Sequence, residues 1–363
     1  MKATLSLPFI THHIVKPFNN RMRVMLTLAG LIILTACGKE KEAAAPVVTN
    51  NAITPTATVL TTDPPVIYAG INNPGITLSN YTYNTNKTDY FVGKVYPAST
   101  LATQYKFSAN DLLKVYVRND SLFLTNAGRA AVINDKFLDI DLLITNNGSF
   151  KKSFRIVKDD FLHNRVVAHR GAWAKLQLPE NSIASLKQAI TIGCQASETD
   201  VHLTSDKVVV ISHDPLFMGL AINNSTYAQL SQKKLANGES IPKLEEYLTQ
   251  LVKQNKTRLK LEIKPSASGS AGDAELTDSV LSLVHQLKAQ AHVDYISFSY
   301  DILKRVLNID KTATVEYLSG NLSAAQLKKE GMGMNYNYGV LQKDETLITQ
   351  SLLNGVSLGA WTI

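Results

Sequence analysis

Beyond about residue 160, short apolar runs alternate with longer stretches whose apolar positions recur every three or four residues, the pattern of strands and helices in turn. The run at 166–168 predicts a first strand, and Ile183, Leu186 and Ile190 predict a helix over 181–192 that Gly193 stops. A second strand is expected at 198–203, followed by the run 208–211 that leads into His213-Asp214. Helix 244–252, strand 259–263, helix 274–287, strand 295–298, helix 302–307 and strand 315–318 continue the series. Stretches 324–329 and 345–353 flank a strand within 334–340, and 356–361 supplies the last strand. Strands alternating with helices predict a parallel sheet, and a region of about 200 residues suits a (β/α) barrel. Counted this way there are seven strands where a closed barrel needs eight. The expectation is a barrel C-terminally truncated after its seventh strand, open beside His169.

Upstream, the pattern is shorter in period. Runs such as Leu113-Lys114-Val115-Tyr116-Val117 and Phe137-Leu138-Asp139-Ile140-Asp141-Leu142 alternate apolar and polar positions. Turn signals at Asn119-Asp120, Asn126-Ala127-Gly128 and Asn146-Asn147-Gly148 separate them. These features predict a small antiparallel, all-β sandwich over 66–160, of immunoglobulin-like kind, with 161–363 as the barrel. The β region has no cluster of catalytic residue types, and a spacer or docking role is expected for it. Residues 38–65 are rich in Ala, Thr, Pro and Asn without periodicity, and predict a flexible tether.

At the N-terminus, Arg21 and Arg23 precede an apolar run over 26–33 that is too short to span a bilayer. The run ends in Leu34-Thr35-Ala36-Cys37, which resembles a bacterial lipoprotein box, so 1–37 is expected to be a signal peptide with Cys37 as the lipidated residue. Met22 begins a compact signal by itself and is an alternative start. The expected location is the bacterial cell envelope, as a membrane-anchored lipoprotein facing the periplasm or the cell surface. Cys194 is the other cysteine, so no intrachain disulfide is expected, and Cys194 is read as a small buried hydrophobe.

Charge changes this picture little. The net charge is +7 and the pI about 9.1, which invites a nucleic-acid reading. Yet Lys2, Lys16, Arg21 and Arg23 precede Cys37 without an acid, and from residue 163 onward 20 basic residues face 19 acidic ones. A basic nucleic-acid face is not supported.

The candidate chemistry collects at predicted strand ends. The first strand delivers His169-Arg170-Gly171, followed by Pro179-Glu180-Asn181, Glu198-Thr199-Asp200, His213-Asp214 and Glu262-Ile263-Lys264. Glu198 and Asp200 are two apart on a strand, so they leave one face about 7 Å apart, close enough to converge on one ion. Glu262 and Lys264 repeat that spacing. Three carboxylates at two strand ends make a hard oxygen site suited to Ca2+ or Mg2+, while no cysteine or histidine cluster suggests zinc. Alone, residues 258–264 would read as a half-exposed strand with one polar face. If that face points inward, Lys260 requires a partner.

Five motifs in this order resemble the glycerophosphodiester phosphodiesterase family, which carries HRG, PEN, ExD, HD and ExK on a TIM-type barrel. The resemblance covers roughly residues 163–363. It implies that His169 and His213 are the acid and base pair and that Glu198, Asp200 and Glu262 hold a divalent metal. It also implies that Arg170 and Lys264 bind phosphate and that Trp361, matching the aromatic of the WTVN segment, lies against substrate. Asp214 is expected to orient His213. Glu180 either supports the metal site or caps a helix. The implied activity is metal-dependent hydrolysis of glycerophosphodiesters to sn-glycerol 3-phosphate and an alcohol, with water or a substrate hydroxyl as nucleophile.

Three departures from the family pattern stand out. Ser182 replaces the usual threonine, seven residues separate Gly171 from Pro179, and Asp206-Lys207 lacks the hairpin glycine. Two other readings stay open: a lipoprotein that binds lipid headgroups or glycans through the sandwich with a non-catalytic barrel, and a phospholipase D-like lyase. The remaining histidines, His202 and His285 among them, are read as satisfied polar residues.

Overall fold

The computed structural model describes residues 76–96, 104–145 and 149–362. The expected signal peptide, Cys37, the tether and the turn at 146–148 lie outside the described residues.

The parallel sheet follows the apolar runs. Seven strands, Val167–Ala168, Ala196–Leu203, Arg258–Ile263, Val293–Ser297, Val315–Tyr317, Gly333–Asn337 and Leu358–Trp361, pair in chain order, every pair parallel. They form a curled sheet of TIM type that is open between the first and seventh strands among the described residues. The second strand shares one edge between two partners. Its start pairs with the first strand through Ala196 and Ser197, and its end pairs with Val209–Ile211 in an antiparallel hairpin. Lys207 turns that hairpin at φ +64, the left-handed region that a glycine would have occupied without strain.

Period-two alternation separates the two faces. Leu259, Leu261 and Ile263 face outward into one core cluster with Leu276, Val280, Leu281 and Val284. Each such leucine contributes about 2 kcal/mol by burial. The intervening residues, Arg258, Lys260 and Glu262, fill the interior. The partner that Lys260 requires is Glu316, 2.6 Å from its Nζ, with Asp294 at 3.4 Å. Burial opposes the ammonium charge, but these two carboxylates outweigh it and raise the Lys260 pKa.

The all-β reading of the upstream region is corrected. Two four-stranded sheets are present, but so is a helix at Asn126–Asp135, and the pairing of Thr82–Tyr83 with Ser149–Lys158 is parallel. Asn126-Ala127-Gly128 therefore opens a helix where a turn was expected. Thr125 caps it by accepting from Gly128 N at 3.1 Å. A Cβ on Gly128 would lie 2.0 Å from the Lys114 carbonyl oxygen, so the glycine serves close packing. Asn119 and Asp120, at φ +50 and +55, do form the expected two-residue hairpin turn.

This region packs against the starting ends of the barrel strands. Asn255 Nδ2 donates to the Lys158 carbonyl at 2.9 Å, and Phe161 lies edge-on to His292 and beneath the Arg258 guanidinium. The candidate chemistry sits at the other end of the strands.

Candidate active site

The turn after the first strand is built around Gly171. Its φ of +81 suits glycine, and a Cβ there would fall 2.3 Å from Ser185 Oγ. Gly171 N points at the carbonyls of Ala168 and Glu198, each at 3.1 Å, which clamps the turn onto the second strand. Arg170, itself left-handed at φ +56, directs its backbone N–H at Glu198 Oε2, 2.8 Å away. Ser182 caps the following helix, Ile183–Ile192, by accepting from Ser185 N at 3.0 Å, so the serine fills the threonine position of the family pattern.

Glu180 is not a cap. Its two carboxylate oxygens accept from Arg170 Nη1 at 3.0 and 3.1 Å, while Arg170 Nε is buried without an acceptor.

Three carboxylates converge as their spacing required. Oxygens of Glu198, Asp200 and Glu262, all buried, lie within 4.8 Å of one another. Parallel pairing places Asp200 directly beside Glu262, so the second and third strands deliver both to one point. Lys264 bridges the pair, with Nζ 2.9 Å from Asp200 Oδ1 and 2.8 Å from Glu262 Oε1. Burial disfavours its charge, but the two carboxylates prevail and raise its pKa.

Burial, and then the charge of Asp200, pushes the Glu198 carboxyl well above the usual carboxylate range. Burial raises Glu262 as well, against the opposing pull of Lys264. Glu198 Oε1 is buried and accepts no hydrogen bond. An orphaned carboxylate oxygen inside a three-carboxylate cluster fits a hard divalent cation, which would supply the missing positive charge.

Asn181, the last residue of the Pro179-Glu180-Asn181 motif, was given no role of its own by the sequence. It is 4% exposed and held at φ +51. Its Nδ2 donates to Asp200 Oδ2 at 2.9 Å, and its Oδ1 accepts from Thr199 Oγ1 at 2.6 Å. Its backbone N donates to the Arg170 carbonyl at 2.9 Å, tying the two motifs together.

Both candidate histidines stand at the rim. His169 is exposed overall, yet crowding by protein atoms, followed by the positive charge of Arg170, lowers its pKa. His213 Nδ1 lies 2.7 Å from Asp214 Oδ1, so this contact engages one ring nitrogen and leaves Nε2 out of it. His202 is a satisfied polar residue, as expected: its Nε2 lies 3.2 Å from the His213 carbonyl oxygen. Trp361 Nε1 donates to the Asn335 carbonyl at 2.9 Å, and its ring meets Phe298 edge-to-face at 5.3 Å. The indole therefore stands at the end of the seventh strand, beside a partly exposed phenylalanine.

Two histidines, two cations and a carboxylate cluster at the C-terminal ends of parallel strands define a (β/α)-barrel protein equipped for phosphoryl chemistry. The model of the "Glycerophosphoryl diester phosphodiesterase family" matches residues 169–362, just over half of the chain. The chain belongs to that family. A Mycobacterium tuberculosis protein named "Probable glycerophosphodiester phosphodiesterase 2" is 30% identical over 148 residues, covering 39% of this chain and 52% of its own length. This chain thus spans about half the length of that relative. The crystal structure of a glycerophosphodiester phosphodiesterase from Parabacteroides distasonis is 36% identical, with a TM-score of 0.53 over 57% of this chain and 85% of that one. A lysophospholipase D of Rattus norvegicus is 37% identical over 82 residues, 20% of this chain and 26% of its own.

Proposed function

We propose that this protein hydrolyses glycerophosphodiesters to sn-glycerol 3-phosphate and an alcohol. The observation that carries the reading is the convergence of Glu198, Asp200 and Glu262 within 4.8 Å, on a rim that also bears His169, Arg170, His213 and Lys264. A phosphodiester is anionic and has a poor alkoxide leaving group, so its hydrolysis calls for positive charge at phosphorus, a base and an acid. Glu198, Asp200 and Glu262 would hold Ca2+ or Mg2+, which when bound supplies Lewis-acid charge to the phosphoryl oxygens.

Arg170 and Lys264 add fixed positive charge for phosphate. His169 and His213 form the acid and base pair. One accepts the proton of the attacking hydroxyl, from water or from the substrate glycerol, as its oxygen bonds to phosphorus. The other protonates the departing alkoxide as the phosphorus–oxygen bond breaks. Where water attacks, this step gives glycerol 3-phosphate directly; where the substrate glycerol hydroxyl attacks, it leaves a cyclic phosphodiester that water then opens with the two histidine roles exchanged, so that either route consumes one water. Asp214 orients His213 through Nδ1, and Glu180 holds the Arg170 guanidinium. Trp361 and Phe298 offer an apolar wall to the substrate. Lipidation at Cys37 would tether the enzyme in the bacterial envelope. Among the described residues no helix is long and apolar enough to cross a membrane.

The test is glycerol 3-phosphate release from glycerophosphocholine. His169→Ala and His213→Ala are each expected to lose at least about a hundredfold in kcat, with circular dichroism unchanged. Full turnover by either variant would sink the assignment.

A further inference from the structure

The loops that follow the two rim histidines are unusually apolar at their tips. Residues 172–178, after His169-Arg170-Gly171, and residues 215–221, after His213-Asp214, contain no acid and one charge, Lys175. Rim loops are ordinarily polar because they face water. Here Leu176 is 55% exposed, Leu216 59% and Met218 49%.

The hairpin shows that this exposure is built. Strands Leu216–Phe217 and Leu220–Ala221 pair across the two-residue turn Met218-Gly219. Phe217 points inward, 8% exposed, into a cluster with Val210, Ile222, Leu230 and Ile241. Alternation then turns Leu216 and Met218 outward. The turn needs left-handed backbone at both positions, φ +47 at Met218 and +85 at Gly219. Asn, Asp or Gly meets that demand with less strain and leaves a polar tip. Methionine accepts the strain and presents an exposed thioether.

We propose that these two loops seat the catalytic rim on a lipid surface, with Leu176, Leu216 and Met218 entering the boundary between headgroups and acyl chains. The occupant is a lipid surface because the apolar tips are continuous with the rim itself, beginning three residues after His213 and five after Gly171. Their single cation and lack of acids suit an anionic headgroup layer. The inference rests on the phosphodiesterase reading and extends its substrates from soluble glycerophosphodiesters to phosphodiesters presented in a membrane or micelle.

The test uses the full chain carrying Cys37→Ser, so that no N-terminal lipid contributes binding. Vesicles of phosphatidylcholine with an equal part of phosphatidylglycerol are the probe. The double variant Leu216→Ser/Met218→Ser is expected to lose at least about tenfold in vesicle affinity, and Leu176→Ser to weaken it further. Hydrolysis of soluble glycerophosphocholine should be unchanged, while hydrolysis of micellar lysophosphatidylcholine falls. A separate Met218→Trp reporter should shift its emission to the blue on vesicles.

Equal vesicle affinity for wild type and double variant, or no emission shift, would overturn the proposal. So would a dimer that the double variant dissociates without any vesicle binding. Vesicle binding that depends on the loops in a protein inert toward every phosphodiester would instead overturn the catalytic reading and leave the docking surface standing.

Discussion

Replacing Lys264 with glutamine probes the electrostatics of the carboxylate cluster without altering backbone or volume greatly. Its ammonium lies 2.9 Å from Asp200 and 2.8 Å from Glu262, with 13% of the side chain exposed. Removing one partner of a buried ion pair costs about 3–5 kcal/mol, because the remaining charge stays buried. Proton uptake by Glu198 and Glu262, whose pKa values already lie high, relieves part of this, so about 3 kcal/mol is expected to remain. At about 2–4 °C per kcal/mol for a fold of this size, the Tm in chelator should fall by about 6–12 °C. A divalent cation restores positive charge to the same oxygens. At a concentration about a hundredfold above its Kd it should return about 2.7 kcal/mol. Differential scanning calorimetry of both proteins, in chelator and in excess Ca2+ or Mg2+, reads the two effects. An unchanged Tm in chelator, or a loss that neither cation repairs, would refute the claim that these carboxylates form one cation site.

Two further outcomes follow from neighbouring geometry. Asn181→Gly keeps the left-handed backbone but removes the carboxamide that holds Asp200, and should weaken metal affinity or activity by about 10- to 100-fold; a calcium titration checks this, and an unchanged isotherm with unchanged kcat would show that Asn181 is only a packing residue. His292, whose Nε2 donates to the Gln254 carbonyl at 2.7 Å, is held neutral by burial, with its pKa lowered from 6.5 to about 4. The unfolded chain takes up that proton first, so stability should fall by up to about 3 kcal/mol as pH drops from about 6.5 toward 4 and then level off; urea midpoints that fall equally in His292→Gln would remove this histidine as the cause.

The parallel strands were legible because short runs with apolar residues alternate with stretches of helical period. The carboxylate cluster was legible for a related reason: residues two apart on a strand share a face whatever surrounds them. Contacts set by register across strands were not legible. Lys260 and Glu316 are 56 residues apart and meet only because two intervening pairings bring their strands into line. Asn181 was legible as part of its motif but carried no role there, because the sequence shows it only as the residue that opens the helix predicted over 181–192. Its hold on Asp200 depends on a left-handed backbone and on a strand that comes later. The pairing of Arg170 with Glu180 crosses a loop without periodicity, where the sequence carries no geometric signal. The helix at Asn126–Asp135 was hidden by Asn-Ala-Gly, whose composition suits a turn, while the cap that starts the helix is the preceding Thr125.

The most direct measurement of the central claim is phosphorus NMR of glycerophosphocholine turnover by the wild-type chain, run in chelator and again with Ca2+ or Mg2+ added. The expected result is growth of the sn-glycerol 3-phosphate resonance with cation present and none in chelator. Phosphocholine as the product, turnover undiminished by chelation, or no turnover under either condition would contradict it.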